Sequence, residues 1–128
     1  MIRKYYKVRE RPTSREEIIC SYHAEMCKVF SHPARLKIIN ILRNDERSVG
    51  ELAKRLSLGM GNLSQHLSMM KERRILESRK TGNQVFYRVV NVKMLKAFDL
   101  LREILLEQIE KDSRLLFDKS SQAMRINE

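Results

Sequence analysis

The sequence predicts a mainly α-helical domain that carries one small β-hairpin. Its 128 residues are 42% hydrophobic and 33% charged, which is typical of one soluble globular domain. The chain has only 4 Gly and 2 Pro, and this composition favours helices. Apolar residues recur at helical spacing as far as Ile75. Beyond it, two short extended runs, residues 76–80 and 84–89, surround a Thr-Gly-Asn turn, which predicts the hairpin.

The composition also excludes several classes of protein. No apolar run approaches the roughly 18 residues of a spanning helix, so we expect no membrane segment. The first residues are charged but precede no apolar stretch, which argues against a secretory signal. Because 2 cysteines cannot form a disulfide framework, a reducing cytoplasm is the simplest location.

The formal net charge of +10 indicates a polyanionic partner such as nucleic acid. A basic N-terminal arm, residues 1–12, precedes the domain, and residues 71–90 carry six Lys/Arg against two Glu. Residues 91–128 balance at seven basic against seven acidic. The sequence leaves four roles open for the arm, which are phosphate contacts, insertion into a minor groove, packing of its tyrosines on a dimer, and disorder.

Capping patterns mark the starts of two helices. Thr13 and Ser14 are each followed three residues later by Glu, so two overlapping capping boxes begin a helix over residues 13–30. Ser48 and Glu51 form another box, which begins a short third helix.

Two further signals complete the helical part. Pro33 suits the first position of the second helix, and a tight turn, residues 57–59, precedes the fourth. Helical spacing predicts that the fourth helix buries Met60, Leu63, Leu67 and Met70.

The last helix is predicted over residues 91–118, followed by a flexible tail, residues 119–128. A helix of about 28 residues spans roughly 42 Å, which is longer than a small domain needs. Its apolar band is wide, and a monomer would expose much of it. We therefore expect a homodimer, and we assign residues 13–118 to one domain that includes the dimerisation helices.

Helix, short helix, turn, helix and hairpin follow each other in the order of a winged helix-turn-helix. The fourth helix presents small or amide-bearing residues opposite its apolar face, which are Gly61, Asn62, Gln65, Ser68 and Met69. Asn and Gln can bond adenine in a major groove, and Ser hydroxyls suit phosphate oxygens. A solvated face would more often carry Glu and Lys. The pattern predicts double-stranded DNA as the partner, read as an inverted repeat by a symmetric dimer.

Over about residues 24–90 the sequence resembles the ArsR/SmtB winged-helix repressors of bacteria and archaea. The resemblance lies in FSHPARLKIINIL (30–42), SVGELAKRLSLGMGNLSQHLSMMKERRIL (48–76) and RKTGNQVFYRV (79–89). It implies a repressor whose helices 13–30 and 91–118 form the dimer interface. By position, the resemblance implies DNA contacts from the fourth helix and the wing, at Ser64, Gln65, His66, Arg79, Lys80, Asn83 and Gln84. Since His66 lies at the edge of the predicted core, packing competes with its contact role.

The chain departs from this family at its familiar metal sites. Members that sense metals through the third helix carry two cysteines where this chain has Ser48 and Gly50. Members that bind zinc on the last helix use His there, but no His follows His66. We therefore expect no metal at either site and no cofactor.

Cys20, His23 and Cys27 are the only clustered soft ligands, and they share one stripe of the first helix. Seven positions separate the cysteines, about 10.5 Å along a helix, which is too far for a disulfide or one shared zinc. We interpret them as small apolar interface residues. A redox switch, or a metal site completed by another segment, is the alternative, and no effector is assigned.

No catalytic arrangement is recognisable, so an enzyme is not expected. None of the 3 His lies beside a Ser–Asp pattern, and residues 59–61 are only half of a dinucleotide fingerprint. The remaining alternative is a winged-helix protein-interaction module in a transcription assembly. Such a module would show no salt-sensitive affinity for duplex DNA.

Overall fold

The computed structural model describes residues 14–126, with the side chains of residues 14–114. The predicted basic arm, residues 1–12, lies outside the described residues. Five helices and three short strands follow one another, and they are α1 (Arg15–Val29), α2 (Pro33–Leu42), β1 (Arg47–Ser48), α3 (Val49–Leu56), α4 (Met60–Glu72), β2 (Leu76–Thr81), β3 (Gln84–Val89) and α5 (Lys93–Ile126). The predicted fold class, mainly helical with one β-hairpin, is confirmed. The chain divides into two compact units, one ending at Val92 and one formed by α5.

Side-chain caps fix where the first three helices begin. The Ser14 hydroxyl accepts a hydrogen bond from the Glu17 amide at 3.2 Å, so the second of the two overlapping boxes caps α1. The His32 Nδ1 atom accepts from the Ala34 amide at 3.1 Å, and Pro33 occupies the first turn of α2. The Ser48 hydroxyl accepts from the Glu51 amide at 3.2 Å and caps α3.

Two left-handed residues shape the turn before α4 and the turn of the hairpin. Ser57 has φ 52° and ends α3, which produces the short turn before α4. Gly82 has φ 59° at the first position of the two-residue hairpin turn, where a residue without Cβ is unstrained. The predicted turn of the helix-turn-helix and the predicted hairpin are therefore both present.

The sheet has three antiparallel strands in the order β1-β3-β2. In the hairpin, Arg79 pairs with Phe86 and Thr81 with Gln84. On the other side of β3, Ser48 pairs with Phe86. The sequence analysis did not predict β1, because two residues are too few to show an alternating pattern.

The core of the first unit lies where α2, α3, α4 and the sheet meet. Its buried apolar side chains are Val29, Ala34, Ile38, Ile39, Leu42, Leu52, Leu63, Leu67, Met70, Ile75, Leu76 and Val89. Three of the four residues predicted to be buried in α4 belong to it. The prediction for Met60 was wrong, since its side chain is 54% exposed. Met60 is the first residue of α4, and the helix begins beyond the edge of the core.

The second unit, α5, has 34 residues and is roughly 51 Å long at 1.5 Å per residue. It continues to Ile126, past the predicted end near Asp118 and through most of the segment predicted as a flexible tail. Residues 119–126 contain neither Gly nor Pro to end a helix. Among the described residues, no helix is both long and apolar enough to span a bilayer.

The Ser48 cap gives a direct test of the start of α3. Ser48→Ala removes the acceptor for the Glu51 amide, so we expect the free energy of unfolding to fall by about 1 kcal/mol in urea titrations. Ser64→Ala is the matched control, because Ser64 is exposed inside α4 and Ala favours helix there. Equal midpoints for the two variants would contradict the capping role.

Candidate nucleic-acid interface

Helices α3 and α4 form the helix-turn-helix, and the core fixes the orientation of α4. Leu63, Leu67 and Met70 lie at positions i, i+4 and i+7, so they share one face, and that face is fully buried. Helix α4 packs against α3 and β2. Because rotation of α4 about its axis would expose these side chains to water, their burial fixes the direction in which the opposite face points.

That opposite face carries the amide and hydroxyl groups that the sequence predicted. Asn62, Ser64, Gln65 and Ser68 are all exposed. Helix α4 has no acidic residue before Glu72, its last residue. A shallow open depression on this face is lined by Ser64, Gln65, Ser68, Met69 and Glu72. The face offers donors and acceptors with little negative charge, which fits the edges of base pairs in a major groove.

His66 is half-buried and packs against the cap of α2. The rings of His66 and His32 lie 4.5 Å apart between centroids, with 51° between their planes. Burial, the neighbouring His32 and Arg35 all lower the pKa of His66, burial most strongly, so the ring is neutral near pH 7. Of the two roles expected for His66, the geometry in this chain supports packing.

The hairpin formed by β2 and β3, called the wing below, places polar residues at its tip. Lys80, Asn83 and Gln84 are exposed around the turn. The Glu77 carboxylate forms an ion pair with Arg88 on the opposite strand. The wing tip thus presents one lysine and two amides.

Arg79, which the sequence analysis assigned to DNA contact, is bound to its own chain. Its Nε atom forms an ion pair with the Glu46 carboxylate, and Nη1 donates to the Thr81 hydroxyl. Its guanidinium carbon lies 4.7 Å from the centroid of the Phe86 ring. The contact of Glu46 with the wing was not predicted, because no pattern in the sequence connects Glu46 to the hairpin while β1 is unknown.

Helix α1 is linked to the end of α4 by one ion pair between distant residues. Arg73 Nη1 lies 2.9 Å from Glu25 Oε2, and Lys28 Nζ lies 2.8 Å from the other oxygen of the same carboxylate. The hydrogen bonds from Lys28 and Arg73 lower the pKa of Glu25. The pair therefore stabilises the link above the usual pKa of a glutamate and weakens as the pH falls below it.

The two cysteines lie on the surface of α1. Cys20 and Cys27 are free and exposed, as is His23, and the Cys20 thiol donates to the Glu16 carboxylate at 3.6 Å. Within the part of the chain that the structure describes, no three His, Cys, Asp or Glu side chains come together as metal ligands. The interpretation of the cysteines as interface residues stays a prediction.

Comparison with known proteins agrees with this geometry. A family model described as "Bacterial regulatory protein, arsR family" matches residues 32–78. The biofilm growth-associated repressor of Xylella fastidiosa (strain Temecula1) is 36% identical over 85 residues, which are 66% of this chain and 75% of that protein.

Two solved structures share the fold. The transcriptional repressor BigR from Xylella fastidiosa is 34% identical with a TM-score of 0.63, over 72% of this chain and 96% of that one. A homodimeric winged helix-turn-helix domain from Mycobacterium bovis has a TM-score of 0.69 at 22% identity, over 80% of this chain and 94% of that one. The chain therefore belongs to the arsR family of bacterial regulatory proteins, and it is a DNA-binding transcriptional regulator with a winged helix-turn-helix fold.

Proposed function

We propose that this regulator is a homodimeric repressor that reads an inverted-repeat operator. Helix α4 enters the major groove, and the wing contacts the DNA backbone. The observation that carries this proposal is the exposed, acid-poor face of α4, held in one direction by three buried side chains. The repressor role is supported by the names of the two Xylella relatives.

We assign two kinds of DNA contact to the side chains of α4, one with bases and one with phosphates. Gln65 and Asn62 are exposed and amide-bearing, and an amide can accept and donate to one adenine edge. Ser64 and Ser68 suit phosphate oxygens. His66 is half-buried against the ring of His32, so packing competes with its proposed contact with DNA.

The wing contributes affinity that does not depend on sequence. Lys80 is exposed beside the turn, and no ion pair of Lys80 is found among the side chains of residues 14–114. Asn83 and Gln84 lie next to it and can donate to phosphate oxygens. A free lysine releases a counterion when it binds a phosphate, which makes the affinity depend on salt.

The dimer is supported by apolar side chains that a single chain leaves in water. On α5, between 48% and 61% of each of six large side chains is exposed, and these are Leu100, Leu101, Ile104, Leu105, Leu106 and Ile109. Helix α1 exposes Ile18, Ile19 and Met26 as well. Soluble monomers avoid such bands, so we infer that a second copy covers them. The homodimeric neighbour from Mycobacterium bovis supports the same assembly.

The proposal includes no enzyme activity and no resident metal or cofactor. Ser48 and Gly50 stand where metal-sensing relatives of this family carry cysteines. Cys20, His23 and Cys27 enter the proposal only as residues of α1, the helix whose apolar side chains we assign to the dimer interface.

Selection of bound fragments from the genome of the source organism tests the proposed function as a whole. We expect recovered duplexes to share an inverted repeat with half-sites about one helical turn apart. A reporter joined to that operator should be silenced by the protein, and activation instead would refute the repressor role. Absence of any salt-sensitive duplex affinity would favour a protein-interaction module.

Gln65→Ala tests base reading by α4. Loss of the amide should relax preference at one base pair, with roughly 1–3 kcal/mol of discrimination lost in competition binding against single-base variants of the operator. Gln84→Ala is the control, because an amide is lost from the wing instead of the groove. Unchanged preference in Gln65→Ala would mean that α4 is not the reading helix.

Lys80→Ala tests the backbone contact of the wing. Affinity should fall for all duplex sequences alike, and the slope of log affinity against log salt should decrease by about 0.9. Titrations of operator and mixed-sequence DNA at several salt concentrations measure both. A loss confined to the operator would contradict this role.

Ile104→Glu tests the dimer through α5. The wild type should sediment at twice the 15.2 kDa of one chain, whereas the variant should sediment as a monomer, because a charge cannot be buried unpaired. Glu107→Gln, on the same exposed helix, should stay dimeric. A wild-type mass of one chain at every concentration would refute the dimer.

A further inference from the structure

Arg79, Phe86 and Ser48 lie in one row across the three strands of the sheet. Arg79 pairs with Phe86 on β3, and Phe86 pairs in turn with Ser48 on β1. Residues directly opposite each other in a sheet point to the same face. Glu46 lies just before β1, and its ion pair with Arg79 places its carboxylate at this face.

The Arg79 side chain crosses this face from β2 to the segment before β1. It passes over the Phe86 ring, with the guanidinium carbon 4.7 Å from the ring centroid, and meets the Glu46 carboxylate in an ion pair. A second hydrogen bond, to the Thr81 hydroxyl, fixes the plane of the guanidinium. The Glu46 side chain is 29% exposed and that of Arg79 is 57% exposed, so the contact lies at the surface but is partly covered.

We propose that Arg79 is a positioning residue held by Glu46, and that it does not bind phosphate. The proposal rests on the DNA-binding function proposed above. The Glu46 carboxylate holds Nε and offsets the charge of the guanidinium, so a phosphate at the remaining N–H groups would also lie near a carboxylate that repels it. The neighbouring Lys80 points to the other face of the sheet, so the two cations do not serve one row of phosphates.

The bridge connects the wing to the start of the helix-turn-helix. Glu46 immediately precedes β1, and β1 leads directly into α3, whose first residue is Val49. Arg79 lies near the middle of β2, on the far side of β3. The ion pair therefore sets the angle of the wing relative to α3, and through α3 relative to α4. If this angle changes, the wing no longer contacts the DNA backbone when α4 lies in the major groove.

Glu46→Gln, Arg79→Gln, the double variant and Lys80→Gln test this assignment in the full chain. Glu77→Gln is the matched control, because it breaks a different ion pair of the wing, with Arg88. Two quantities are measured for each variant. The first is affinity for the selected operator and for a mixed-sequence duplex of about 30 base pairs at several salt concentrations. The second is amide hydrogen exchange in β2 and β3 without DNA.

We expect Glu46→Gln and Arg79→Gln each to weaken operator binding roughly two- to fivefold, the range of one exposed ion pair. The double variant should be no weaker than Arg79→Gln alone, since the contact that Glu46→Gln weakens is already lost in Arg79→Gln. Neither should change the salt slope, whereas Lys80→Gln should reduce it by about 0.9. Exchange in the wing should rise in both variants, and at least as much in Arg79→Gln, which also loses the contacts with Thr81 and Phe86. The reversed pair, Glu46→Arg with Arg79→Glu, should restore part of the slow exchange.

Three results would overturn the proposal. The first is a salt slope that falls by about 0.9 in Arg79→Gln. The second is tighter binding with a steeper slope in Glu46→Gln, which would make Arg79 a phosphate ligand and Glu46 its competitor. The third is wing exchange that neither variant changes. If the wild type binds no duplex, the proposed function fails, and the exchange measurements by themselves still confirm or refute the Glu46–Arg79 bridge.

Discussion

Burial of one face of α4 is the constraint on which the rest of the interface depends. Leu63, Leu67 and Met70 are fully excluded from water, and each contributes about 1.5–3 kcal/mol relative to an exposed side chain. Domains of this kind are stable by only about 5–15 kcal/mol in total. The same contacts that keep the domain folded therefore fix the direction of the exposed face of α4 that we assign to DNA, called the reading face below. A repressor that lost this packing would lose its fold and its reading face together.

The wing is held to this core by both of its strands. Ile75, just before β2, and Leu76, its first residue, are buried, and so is Val89 at the end of β3. Arg74, with φ 61°, turns the chain sharply between α4 and β2. The base of the wing thus belongs to the core, and its tip extends from it. The hairpin is stable because its base is buried, and it can contact the phosphates of DNA because its tip is exposed.

Three acidic side chains of the helix-turn-helix and the wing, those of Glu46, Glu51 and Glu77, are paired with cations of the same chain. Glu51 lies 2.9 Å from Arg47 and 3.4 Å from Arg55, and Glu77 pairs with Arg88. Such pairs at the surface add little to the stability of the fold. They do reduce the negative charge that would repel DNA. Among the described side chains, Lys80 at the wing tip has no ion pair and keeps its full positive charge. Pairing thus shapes the electrostatic field more than it stabilises the domain.

The sequence by itself determined several elements whose signal is local. The caps at Ser14 and Ser48, Pro33 at the start of α2, and the Gly82 turn depend on residues within a few positions of one another, and the structure contains all of them. The buried face of α4 was readable because its spacing is periodic, although Met60 was wrongly included. The exposed polar residues opposite that face followed from the same spacing.

Only the tertiary structure decided which distant residues meet. Strand β1 exists because β3 pairs with it, and two residues carry no pattern of their own. The contact of Glu46 with Arg79 depends on that strand, and the contact of His66 with His32 depends on how α2 crosses α4. Such contacts join residues far apart in the chain, and their partners are fixed by the packing of whole elements. For this reason the sequence could assign Arg79 a charge and a place on the wing, but not the carboxylate that holds it.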